Sequence, residues 1–424
     1  MNSLLDRLMQ QDGMRPAVVV GPETVTVGSI LTRACNLRDR GWGKGTPAVA
    51  KGDDITNFLE LLVACEGWAE TLQLQPAGSP TTPREEACPF RLLPQGHQTR
   101  LVLATSGTTG KPKLIIHTLA SLTATTKAYS CGGQNHRWGL LYDPARFAGI
   151  QVVLQALLGG AIMVVPRDEN LDSAVDFMIA QGVTALSATP SYWRQLLMTR
   201  SIASMPLKQI TLGGEIADAR ILHSLHALFP TCRIVHIYAS TETGVGFSVR
   251  DGMPGFPLSY LDDGVLDGVR LRITEDGRLM LMKSNPEHRA ENVPSIIDRN
   301  EGFVDTGDLV DVRGDRVYFL GRASGLINVG GNKVCPETVE AVLCSHPDVV
   351  GARVFGKASS ILGNIVAAEV QLRNPSEHVA ITLQLNELCK TKLSRHQWPA
   401  ILKIVEHLEM SDSGKISRSH ATHG

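Results

Sequence analysis

Between Leu101 and Val249, short apolar runs alternate with stretches of helical spacing, and this alternation restricts the fold more than any other feature of the chain. "LVLAT", "AIMVVP", "VTALSAT", "QITLGG" and "RIVHIYAS" read as strands buried on both faces. "LDSAVDFMIAQG", "PSYWRQLLM" and "DARILHSLHALFP" carry the helical pattern between them, and "GIQVVLQALLGG", apolar nearly all round, reads as a buried helix. A helix of about Leu119 to Tyr129 is expected after the first strand. Strands separated by helices run parallel, in a sheet covered on both faces. Ligands of such sheets bind beyond the carboxyl ends of the strands. The polar clusters TSGTTG, GGE and STE all fall there.

Other rhythms flank this unit. "PAVVVG" and "ETVTV" read as strands, "GSILTRACNLRDRG" and "DDITNFLELLVACEG" as helices, and "PAGSPTTPREEACPF" as a surface loop. After Gly255, "GVRLRITEDGRLMLMK" and "GFVDTGDLVDVRGDRVYFLG" are strands joined by DG- and RG-type turns, which predicts antiparallel pairing. From Arg322 come the turn-rich "GRASGLINVGGNKV", a helix opened by Pro336-Glu337, a strand at "NIVAAEVQL", a helix through "ITLQLNELCKTKL" and the polar loop "MSDSGKISRSH". The expected class is α/β. Residues 1–321 form a large domain of parallel-sheet subdomains with a β-rich segment at about 255–321, and residues 322–424 form a small α+β domain.

Composition narrows the function. A chain of 424 residues with 43% hydrophobic content can bury more than one core. A formal net charge of -1 supplies no global field toward nucleic acid or an anionic membrane, so any positive site is local. No apolar stretch is long enough to span a bilayer, and MNSLLDRLMQQ lacks the pattern of a signal peptide. The 8 cysteines are scattered without a CxxC pair, against a disulfide framework or zinc site. A cytoplasmic location is expected.

The stretch from Thr105 to Lys113 has the chemistry of an anion cradle. Gly107 and Gly110 let the backbone approach closely, the hydroxyls of Thr105, Ser106, Thr108 and Thr109 donate, and Lys111 adds charge. It is not a Walker loop, because Thr105 stands where that motif needs glycine and Pro112 follows the lysine. Glu242, at the end of a strand, suits magnesium. Asp308 suits the paired hydroxyls of a ribose, with Arg322 assisting it or binding phosphate. Lys415 sits in the polar loop near the end of the chain. Taken singly, each cluster also reads as an ordinary solvated loop or turn.

The succession TSGTTGKPK, GGE, YASTETG, TGD, GR and SGK, from about Val18 to Arg418, resembles the adenylate-forming superfamily. That superfamily holds acyl- and aryl-CoA ligases, luciferases and peptide-synthetase adenylation domains. The resemblance implies that Thr105–Lys113 cradles the β- and γ-phosphates of ATP. It also implies that Gly213, Gly214 and Glu215 lie along the adenine and that the ring of Tyr238 stacks near it. Thr241 would contact the α-phosphate, Glu242 hold Mg2+, and Asp308 with Arg322 bind the ribose. Lys415 would bridge the α-phosphate and the attacking carboxylate. The small domain would then rotate, withdrawing Lys415 and bringing Val329–Lys333, with Gly330, Gly331 and Lys333, to the thiol side.

The departures from the family pattern concern the hinge, where Ser324 replaces the usual Asp or Lys, and Asn328, which replaces a lysine. Ala239 replaces the glycine after the tyrosine, trimming the acyl pocket, and the region before TSGTTG is short. The matching pocket helix places Arg146, Phe147 and Gly149 beside the acid. Arg146 argues against an α-amino acid, whose ammonium it would repel. It either pairs a second anionic or polar group on the acid or gates the pocket. The implied reaction adenylates a small aryl or short acyl carboxylic acid and transfers the acyl group to coenzyme A. Loading the phosphopantetheine arm of a carrier protein in trans is the alternative acceptor, and a catalytically silent nucleotide binder is the rival class.

Overall fold

The computed structural model of the chain describes residues 3–40, 48–79, 90–105, 113–126, 136–167, 170–261, 268–291, 302–359, 362–411 and 414–417. Its largest sheet has eight strands, in the order Gly244–Val249, Arg233–Ser240, Gln209–Gly213, Ala185–Ala188, Arg137–Gly139, Ile162–Val165, Pro16–Val20 and Glu23–Thr26. Every interior pair is parallel, and only the two edge pairs are antiparallel. The apolar strands of the sequence read continuously because both faces are covered. Met163 and Ala185 enter one core, while their neighbours Val164 and Leu186 enter the other.

One expected member of this sheet lies elsewhere. The strand Arg100–Ala104, which leads into the hydroxyl loop, belongs to a separate sheet with Val49–Lys51, Thr71–Gln75 and Leu114–His117. Leu114–His117 runs antiparallel to it, and the Thr105 N–H donates to the Lys113 carbonyl at 2.8 Å. The loop therefore closes a hairpin. The helix expected after it is a single turn, Leu119–Leu122, capped by Thr118; residues 127–135 lie outside the described residues. Leu72, Leu74, Leu101 and Leu103 of the smaller sheet share one core with Val18 and Met163 of the larger. The helix Phe147–Gly159 is packed into this core and buries most of its circumference.

The β-rich segment is a five-stranded antiparallel sheet, in the order Phe256–Pro257, Arg316–Arg322, Val304–Arg313, Arg278–Lys283 and Val269–Ile273. Phe247 and Val249 join it to the large sheet through a common core. The C-terminal domain has a core of its own, built from Val349–Ser359, Gly363–Leu372, Pro336–Cys344 and His378–Lys392. Within "GRASGLINVGGNKV" the structure forms a hairpin, Ile327–Val329 with Asn332–Val334, turning on Gly330 and Gly331 at φ 56 and 88°. No helix among the described residues is long and apolar enough to cross a membrane.

Candidate active site

Two neighbouring parallel strands deliver the centre of the site. Gln209–Gly213 ends in Gly214 and Glu215, and Arg233–Ser240 carries Tyr238 and runs into Thr241 and Glu242. Lys415 of the C-terminal domain enters beside them. A Cβ on Gly214 would stand 3.0 Å from its Cε and 3.5 Å from its Nζ, so the lysine stem lies on the bare glycine.

The backbone around Lys415 is fastened on both sides. The Thr189 hydroxyl donates to the Gly414 carbonyl. The Glu215 carboxylate accepts from the Ser191 N–H at 2.9 Å and from the Ile416 N–H at 3.3 Å. Glu215 thus ties the first turn of the helix Pro190–Leu196 to the tail. Burial pushes the pKa of Lys415 down, while Glu215, Asp308 and Glu242 pull it back and Arg322 adds to the lowering. Those named groups share one electrostatic neighbourhood with the lysine.

Asp308 and Arg322 face each other across adjacent antiparallel strands, with Arg322 Nε 2.9 Å from Asp308 Oδ1. The Tyr238 hydroxyl donates to Asp308 Oδ2 at 2.5 Å. Burial raises the Asp308 pKa, against Arg322 and Tyr238, which lower it. Burial and the Asp308 charge hold the Tyr238 phenol well above its ordinary value, so it remains a donor. The Tyr238 ring is stacked on Phe247 at 5.1 Å and on Phe319 at 5.2 Å. The resemblance places this ring near adenine, and its hydroxyl reaches Asp308.

Glu242 is half-exposed and accepts no hydrogen bond from the described residues. No cluster of three metal-ligating side chains occurs among them either. One open carboxylate fits magnesium, which is commonly held by one or two carboxylates plus the phosphates of the substrate. Ser106, Gly107, Thr108, Thr109, Gly110 and Lys111 lie outside the described residues, and Thr105 stands at the mouth of their loop.

Sequence reasoning missed the groups that hold the Thr241–Gly244 turn. The buried His117 donates from Nε2 to the Thr241 carbonyl at 2.7 Å, and its Nδ1 accepts from the Ser121 hydroxyl at 2.9 Å. A carbonyl only accepts, so the proton sits on Nε2. Burial brings this imidazole down to about 4, which keeps it neutral. Lys283, brought down to about 8 by burial, donates to the His288 carbonyl at 3.0 Å. A Cβ on Gly244 would lie 2.6 Å from its Nζ. Nothing in "LIIHTLAS" or "LMLMKS" signals either role.

On the acid side, Arg146 is half-buried at the N-cap of Phe147–Gly159, and the Phe147 ring lies 5.6 Å from that of His117. Gly149 is glycine for packing, since a Cβ there would come within 1.9 Å of the Asp143 carbonyl oxygen. Ala239 pairs with Val245 at a bulge next to Tyr238. Trp193 is core: fully buried, it donates to the Thr211 carbonyl at 3.1 Å. Gly330, Gly331 and Lys333 stand exposed on their hairpin, and Ser324 is exposed in the turn Ala323–Gly325 after Arg322.

With this geometry in view, comparison with known proteins is decisive. The AMP-binding enzyme family profile matches residues 46–280, and that of the AMP-binding enzyme C-terminal domain matches residues 338–415. The chain belongs to the AMP-binding enzyme family. This AMP-binding enzyme is 28% identical over 341 residues to the 2-succinylbenzoate–CoA ligase of Bacillus pumilus, covering 76% of this chain and 68% of that protein. It is 30% identical over 343 residues to a probable 2-succinylbenzoate–CoA ligase of Mycobacterium tuberculosis, covering 75% and 82%. Its fold matches that of the o-succinylbenzoate CoA synthetase of Bacillus subtilis in complex with an acyl-adenylate intermediate. That match has a TM-score of 0.71 at 20% identity and covers 100% of this chain and 99% of that one. This AMP-binding enzyme is an ATP-dependent acid–thiol ligase that forms AMP.

Proposed function

We propose that the protein adenylates a small aryl carboxylic acid carrying a second anionic group, of the 2-succinylbenzoate kind, and passes the acyl group to coenzyme A. The observation that carries this reading is the docking of Lys415 on Gly214, in the field of Asp308 and Glu242. A lysine that is normally solvated has been fastened, half-buried, into a polar cleft.

In the first half-reaction a carboxylate oxygen of the acid attacks the α-phosphorus of ATP and pyrophosphate leaves. Both reactants are anions, so alignment and charge neutralisation carry the catalysis. Lys415 provides the cation beside the α-phosphate and the incoming carboxylate, with Thr241 as a neighbouring donor. Asp308, held by Arg322 and Tyr238, accepts from the ribose hydroxyls. The Thr105–Lys113 loop binds the β- and γ-phosphates. Gly213–Glu215 borders the base, while Glu215 also anchors the tail. Glu242 would hold a magnesium ion, which supplies charge neutralisation on the phosphates. In the second half-reaction a thiol attacks the acyl carbonyl, and AMP leaves with the anhydride electron pair.

Arg146, at the head of the helix Phe147–Gly159, is the cation we assign to the second anionic group of the acid, with Phe147 and Ala239 bounding the pocket. For the thiol step we assign Gly330, Gly331 and Lys333 to the side of the incoming thiol, and Ser324 to the hinge. The described cysteines are free thiols, which suits a cytoplasmic enzyme.

Pyrophosphate release across a panel of acids tests the reading. The panel holds 2-succinylbenzoate, benzoate, anthranilate and short fatty acids, each with CoA, with a phosphopantetheinylated carrier protein or with no acceptor. We expect release with the aryl diacid and thioester only with CoA. ATP binding without release for any acid refutes the ligase reading, and thioester on the carrier alone moves the acceptor.

A further inference from the structure

One polar contact between the C-terminal domain and the large domain lies outside the site already described. Arg220 lies in the first turn of the helix Ala219–Leu228 of the large domain. Its guanidinium donates to four backbone carbonyls of the C-terminal domain. Nη1 reaches Cys344 at 2.7 Å, Val349 at 3.3 Å and also His346, and Nη2 reaches Pro347 at 2.5 Å.

These acceptors sit at and just beyond the end of the helix Pro336–Cys344. The last carbonyls of a helix lack partners within it, and they form its negative end. A planar cation that donates to several at once suits that end in both geometry and sign. The base of the arginine is itself braced: Asp218 caps the helix by accepting from the backbone of Arg220 and Ile221, at 3.0 Å each, and also pairs with Arg194.

We propose that Arg220 is a positioning residue for adenylation: by gripping the Cys344–Val349 carbonyls it holds the C-terminal domain in the orientation that delivers Lys415 to the nucleotide site. The inference rests on the ligase reading for its kinetic consequence, although the grip itself is testable without turnover. The tail itself is held by Thr189 and Glu215. The Arg220 grip uses residues other than those at the chemistry, and Arg373 Nη1 touches Met198 Sδ at 3.2 Å elsewhere between the domains.

Arg220→Ala tests this in the full-length enzyme. The peptide bond after Lys415 is sheltered in the docked state, because the Lys415 carbonyl accepts from the Ser411 N–H at 2.7 Å and the Ile416 N–H donates to Glu215. Trypsin cleavage there, followed by mass spectrometry, is expected to quicken several-fold in R220A. Acid-dependent ATP–pyrophosphate exchange is expected to fall about tenfold or more, with little change in the KM for ATP. Thioester formation from synthetic acyl-adenylate and CoA, which does not use Lys415, is expected to stay within about threefold of wild type on the same scale.

An unchanged cleavage rate at Lys415 overturns the proposal, as does equal loss in both half-reactions or wild-type exchange. If R220A does not fold, R220Q carries the same measurements. A wild-type enzyme inactive with every acid refutes the ligase reading, and the proteolysis comparison then decides the grip by itself.

Discussion

Lys415→Met isolates the lysine charge from its packing. Methionine keeps an unbranched stem to lie on Gly214, while the Thr189 and Glu215 contacts are to backbone and survive the change. What disappears is a buried ammonium in the field of Glu215, Asp308 and Glu242. Because water is largely excluded around it, its loss resembles removal of a preorganised donor to a transition-state charge, which costs about 100- to 1000-fold in rate, or roughly 3–4 kcal/mol. Stability should not fall, since the desolvation cost of the ammonium disappears with it. The assay is ATP–pyrophosphate exchange alongside CoA acylation from synthetic acyl-adenylate. Exchange is expected to drop by that factor, with the acylation step nearly intact. The basic limb of the wild-type exchange profile should also lie below the pH at which an ordinary lysine titrates, because the pKa of Lys415 is lowered. Exchange within about fivefold of wild type would refute the assignment of this charge to the transition state.

Other perturbations follow from the same contacts. Asp308→Asn removes the charge and one of the two acceptor oxygens that Arg322 and Tyr238 use, and should raise the KM for ATP by about 10- to 100-fold, measured by initial rates. His117 is neutral when folded, with a pKa of about 4 against 6.5 for the free side chain, so the unfolded chain binds the extra proton between those values. Its contribution is complete above pH 6.5 and is lost as pH falls toward 4; urea unfolding should show His117→Gln losing less stability than wild type over that range. Lys283 has the same sign of dependence in a higher pH window. With a folded pKa of about 8 against 10.5, it opposes folding below pH 8, by about 3 kcal/mol at most, and the penalty fades as pH rises to 10.5. The stability advantage of Lys283→Met at pH 7 should shrink by pH 9.5.

Much of the large sheet was legible because several of its inner strands are apolar on both sides, as Met163 beside Val164 illustrates. "LVLAT" is equally apolar yet joins another sheet, because its partner is chosen by the antiparallel return of Leu114–His117 across the hydroxyl loop. Sequence periodicity carries no information on which of two sheets a strand enters. The antiparallel segment announced itself by its turns, and Asp308 and Arg322 by motifs that the register then set face to face.

His117 and Arg220 were illegible for one common reason. Their partners are backbone carbonyls, for which a sequence has no letter: Thr241 is 124 residues from His117, and Cys344 is 124 residues from Arg220. A histidine closing a strand and an arginine opening a helix look ordinary until the chain is folded. The aromatic partners of Tyr238, Phe247 and Phe319, were likewise illegible, since no local spacing reveals them.

Gly214 has a consequence of its own. At φ 81° its backbone already disfavours any side chain, and a single methyl would stand 3.0 Å from Lys415 Cε. An added methyl would press the lysine stem outward by a few tenths of an ångström and strain the backbone, so the bareness of this residue sets how closely the tail's cation can approach.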